Sequence, residues 1–74
     1  MRIYTLDAII NDEYIVFNRK FKSRTAAIDY VFNYLEKHYV FNAQLEEEYA
    51  LDNKHNIHYV LNNANSFNVR SYQR

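Results

Sequence analysis

Along residues 2–10, Tyr4, Leu6, Ala8 and Ile10 fall on one side at period two, with Thr5 and Asp7 on the other. That alternation predicts a half-buried strand. Asn11, Asp12 and Glu13 follow, the first two tolerant of turn conformations. Residues 14–21 then form a second β-rich run with Ile15, Phe17 and Phe21 on one face, so the two runs should pair as a hairpin. Ser23 is placed to cap a helix over residues 24–37. Ala27, Ile28, Val31, Phe32, Leu35 and Tyr39 make its apolar stripe, Ala26, Asp29, Tyr30, Asn33 and Lys37 lie away from it, and Tyr34 falls on its border.

Residues 43–51 carry two signals. Ala, Gln, Leu and three Glu favour helix, whereas Ala43, Leu45, Tyr49 and Leu51 alternate as in a strand. Strand is the better reading, because residues 52–56 (Asp-Asn-Lys-His-Asn) have turn chemistry and residues 57–61 are a clear β run, so a hairpin uses both flanks. A last strand over residues 66–72 completes a meander. The expected fold is a single small α+β domain over residues 1–74, in the order β-β-α-β-β-β, with one helix on one face of an antiparallel sheet.

Composition sharpens this picture. The chain has 74 residues and no Gly, Pro or Cys, but eight Tyr and five Phe. A chain this short buries only about 60% of its unfolded surface, so large side chains or a second copy must supplement its core. Without cysteine there is no disulfide framework and no thiolate metal site. Without glycine, left-handed turn positions fall to Asn11, Asn53 and the 62–65 Asn-Asn-Ala-Asn cluster. Ten Asn, with many Tyr, Phe, Ile and Lys, resemble translation of an AT-rich frame and point to a low-GC bacterium or its phage. No signal-peptide pattern or long apolar run is present, so a cytoplasmic location away from membranes is expected. Nine basic and nine acidic residues cancel, so any electrostatic function must be local.

Four groups of residues are candidates for chemistry. Arg19, Lys20, Lys22 and Arg24 concentrate positive charge where strand meets helix, which suits phosphate contact; a solvated strand end is the ordinary alternative. Glu46, Glu47, Glu48 and Asp52 could hold a cation only if they converge, and on a strand Glu46 and Glu48 share a face that Glu47 does not. His55 and His58 differ by an odd number, which separates them on a strand, and His38 suits the dipole at the helix C-terminus. No metal or cofactor is therefore expected. Arg19 and Glu47 each interrupt an apolar face, so either both lie beyond the helix's cover or they meet as an ion pair.

Tyr30, Tyr34 and Lys37, spaced about a turn apart, form the candidate partner-binding surface, since tyrosine is enriched at binding hot spots. With no catalytic constellation, the expectation is a non-enzymatic protein-protein interaction module. Its two sheet edges are open to a protein partner or to a second copy as a homodimer. If the composition marks a phage or mobile element, the base-rate expectation, carried by no motif, is an inhibitor that occludes a host or defence protein, with anti-CRISPR-like action as one form. The alternative is a small nucleic-acid-binding protein using the basic residues 19–24.

Overall fold

A computed structural model describes residues 1–39 and 42–74. The elements are β1 (Arg2–Ile10), β2 (Glu13–Phe21), α1 (Arg24–His38), β3 (Leu45–Ala50), β4 (Ile57–Leu61) and β5 (Ser66–Gln73). The strands form one antiparallel sheet in the order β2-β1-β5-β4-β3, with α1 connecting β2 to β3. This is the α+β arrangement and element order that the sequence pattern predicts. The β1–β2 hairpin and the β3–β4–β5 meander are thereby joined through β1 and β5, and the Arg74 N–H donates to the Met1 carbonyl at 2.8 Å.

The first hairpin turns at Asn11 and Asp12, with φ of 52° and 66°. Two consecutive left-handed residues match the twist of the flanking strands. The β4–β5 turn repeats the device with Asn63 and Ala64 at φ of 59° and 61°. Asn11 and the 62–65 cluster thus supply left-handed positions in place of glycine. Asn53 does not: its side-chain oxygen accepts from the His55 N–H at 2.8 Å and its carbonyl from the Asn56 N–H, so it shapes the β3–β4 loop through an Asx turn instead.

Helix α1 begins where Ser23 Oγ accepts from the Ala26 N–H at 3.1 Å. It ends with Lys37 and His38 in its last turn, favourable to the helix dipole, and with the Tyr39 N–H donating to the Leu35 carbonyl. Ala27, Val31 and Leu35 are buried against Leu6, Ala8, Ile10, Phe21, Tyr59, Leu61, Phe67 and Val69. Phe67 is the centre of this layer, stacked on Tyr59 with ring centroids 4.8 Å apart and meeting Phe32 edge-on at 6.2 Å. The two alanines, Ala8 and Ala27, let helix and sheet approach closely.

Three expectations are corrected. First, Tyr30 does not face solvent. It is half-buried, with its ring 5.7 Å from Phe17 and 5.3 Å from Phe21, because the β2 aromatics rise along the helix flank at the sheet edge. Second, Leu45–Ala50 is strand, but Leu45 and Tyr49 do not share a face. A register shift between Leu45 and Glu47 pairs Leu45 with Leu61 on the helix side and Tyr49 with His58 on the other. All of β3 is exposed, since α1 lies against β1, β2 and β5 and β3 is beyond its reach. Third, Arg19 and Glu47 cannot meet, because β2 and β3 are opposite edges of the sheet. Arg19 lies over the Tyr30 ring at 4.8 Å, and Glu47 accepts a hydrogen bond from the Tyr49 hydroxyl.

Candidate partner-binding surface

The odd-numbered positions of β1 point away from the helix, as their cross-strand partners show: Ile3 with Tyr72, Thr5 with Arg70, Asp7 with Asn68 and Ile9 with Ser66. Tyr14 and Val16 of β2 join this face beside Ile9 and Asp7. His58 and Val60 of β4 and Tyr49 and Glu47 of β3 continue it to the other edge. Nothing covers it. Ile9, Tyr14, Val16, Tyr49 and Tyr72 are each between 43% and 64% exposed, and Ile9, Tyr14 and Val16 are contiguous across β1 and β2. Apolar side chains gathered on one uncovered face mark an interaction surface more strongly than the same residues scattered.

At the centre of the face is a buried carboxylate. Asp7 is 5% exposed and accepts three hydrogen bonds: from Arg70 Nε at 2.9 Å, from Asn68 Nδ2 at 2.9 Å and from the Tyr14 hydroxyl at 3.3 Å. Burial without such partners would be costly, so this set is what permits an aspartate in mid-sheet. The same hydrogen bond holds the Arg70 guanidinium above its ordinary pKa. Because the Asn68 amide donates to Asp7, its oxygen accepts from His58 Nδ1, 2.6 Å away. His58 in turn stacks on Tyr49, with centroids 6.4 Å apart. A polar chain thus crosses β2, β1, β5, β4 and β3 and orients the tyrosines at both margins. The hydrogen bond to Glu47 raises the Tyr49 pKa.

The sequence-derived candidates distribute differently. Tyr30 and Tyr34 with Lys37, Asn33 and His38 line an open depression on the helix flank. Tyr34 is half-buried and touches Phe17 edge-on at 4.9 Å, His38 at 4.4 Å and Tyr39 at 6.1 Å. These two tyrosines belong to the aromatic seam between β2 and α1, while Lys37 is exposed.

Of the basic group, Lys20 and Lys22 are exposed, but Arg19 lies over Tyr30. Arg24 turns the other way, lying over the Tyr4 ring at 5.6 Å and donating to the His55 carbonyl at 3.1 Å. Arg24 is thereby drawn away from Arg19. Glu47 and Glu48 face opposite sides, paired with Val60 and Tyr59, and His55 and His58 lie in a loop and on the helix-free face. Among the described residues no three His, Cys, Asp or Glu are grouped to hold a metal ion, and no helix is long and apolar enough to cross a membrane.

The helix-free face was missed by sequence reasoning because Ile9, Tyr14, Val16 and Tyr72 lie on three strands whose adjacency depends on β1 pairing with β5. Asp7 was the available signal, an acidic residue in mid-strand with Asn68 and Arg70 at period two in another. No protein-family model, curated protein or solved structure matches this chain.

Proposed function

We propose that the chain is a non-enzymatic protein-binding module that docks a protein partner on the helix-free face of its sheet. The observation that carries this reading is the uncovered group of Ile9, Tyr14, Val16, Tyr49 and Tyr72 around a buried polar centre. Amphipathic tyrosines with few rotatable bonds are suited to protein recognition. The face is poorly suited to phosphate: the charge of Arg70 is neutralised by Asp7 and Glu47 stands at its margin, so it offers no positive field to a nucleic-acid backbone. An inhibitor of a host or defence protein would act by occlusion, laying this face over its target.

The test is capture from a low-GC bacterial lysate on the immobilised chain, at low and high salt and with nuclease. Wild type should retain a protein that survives both treatments. Val16→Ser combined with Tyr72→Ser should release it, and Lys20→Glu combined with Lys22→Glu should not. Retention of nucleic acid alone, lost at high salt or with the lysine variant, would reverse the reading in favour of the basic residues.

A further inference from the structure

The two edges of the sheet are not equivalent. β3 is six residues long and carries Glu46, Glu47 and Glu48, charges that discourage another strand from adding there. β2 is nine residues long, and its regular part, 13–17, reads Glu-Tyr-Ile-Val-Phe, with a single charge at its start. Such an edge is a template for strand addition.

Its backbone is oriented for pairing. Ile10 and Glu13 flank a two-residue turn and face each other, so Glu13, Ile15 and Phe17 direct their amides and carbonyls to β1. Those of Tyr14 and Val16 point outward.

We propose that β2 pairs antiparallel with β2 of a second copy of this chain, about a two-fold axis near Ile15 and Val16. The charge pattern of the strand selects this occupant. β2 is acidic where it begins, at Asp12 and Glu13, and basic where it ends, at Arg19, Lys20 and Lys22, so antiparallel self-pairing lays each acidic end beside the basic end of the second copy. The register shift in β2 helps: Leu6 pairs with Phe17 but Tyr4 with Phe21. The bulge at 18–20 draws Lys20 closer to the axis than a regular strand would, toward Asp12 and Glu13 of the second copy. Because the pairing is isologous it closes as a dimer rather than growing into a fibre. The result is a ten-stranded sheet whose two Ile9–Tyr14–Val16 patches adjoin. The interface is small, so the association is weak and visible only at high protein concentration. It stands apart from the reading of the face as a partner site and needs no partner to test.

Sedimentation equilibrium of the purified chain from about 10 µM to about 1 mM should show a monomer–dimer equilibrium weakened by salt. Val16→Pro removes an outward N–H without touching the β1 ladder and should abolish the dimer. Glu13→Lys and Lys20→Glu should each weaken dimerisation about tenfold, since each disturbs two symmetry-related charge contacts. The double exchange should restore it, a result that a folding defect would not produce. A monomer throughout the range, or a dimer indifferent to these substitutions, would overturn the proposal.

Discussion

Ala64 holds a left-handed conformation, φ 61°, without the freedom of glycine, a geometry that costs an L-residue about 1–2 kcal/mol. Ala64→Gly removes that strain and loosens the unfolded chain by a smaller amount. A net gain of about 0.5 kcal/mol is expected as a higher urea midpoint. Asp7 gives the opposite case. Asp7→Ala leaves Asn68, Tyr14 and Arg70 without their acceptor and should cost about 2–3 kcal/mol. Arg70→Ala should cost only about 1 kcal/mol, because its side chain is 48% exposed and Asp7 keeps two other donors.

His55 carries a pH signature. Burial, then the charges of Arg2, Lys54 and Arg24, hold its pKa below the ordinary 6.5. The native state therefore binds this proton less readily than the unfolded chain does. The stability contributed is present above pH 6.5 and is lost as pH falls through the native value. His55→Gln should flatten the decline in Tm between about pH 7 and about pH 5, and an unchanged pH profile would count against the assignment.

Among the elements, α1 was the most legible in sequence. Its cap, apolar stripe and basic last turn are local features, and Ser23→Ala should cost about 1 kcal/mol in a denaturant melt. The hairpins were legible too, from alternation and from Asn-rich turns standing in for glycine. What periodicity could not give was a residue's neighbours across the fold. Tyr30 lies off the helical stripe yet is covered by Phe17 and Phe21, and the bulge in β3 turns Leu45 and Tyr49 to opposite faces. Tyr34 is decisive here. As part of the aromatic seam with Phe17, His38 and Tyr39, it should cost about 2 kcal/mol of stability when changed to Ala. A pure binding residue would leave the melt unchanged.

For the whole molecule, strand order decides which surface works. Joining β1 to β5 puts Asp7, Asn68 and Arg70 together, gathers Ile9, Tyr14, Val16 and Tyr72 into one uncovered face, and sends Arg19 and Glu47 to opposite edges. The acidic strand β3 and the basic end of β2 are likewise held apart, so neutrality overall conceals edges of opposite character. Partners should meet the helix-free face. The most direct measurement is covalent labelling of tyrosine and lysine side chains, read by mass spectrometry, on the free chain and on the chain in complex with the protein it captures. Tyr14, Tyr49 and Tyr72 should become protected in the complex while Tyr30, Tyr34 and Lys37 react as before. Protection of Tyr30, Tyr34 and Lys37, with the three sheet-face tyrosines unchanged, would contradict it and move the working surface to the helix flank.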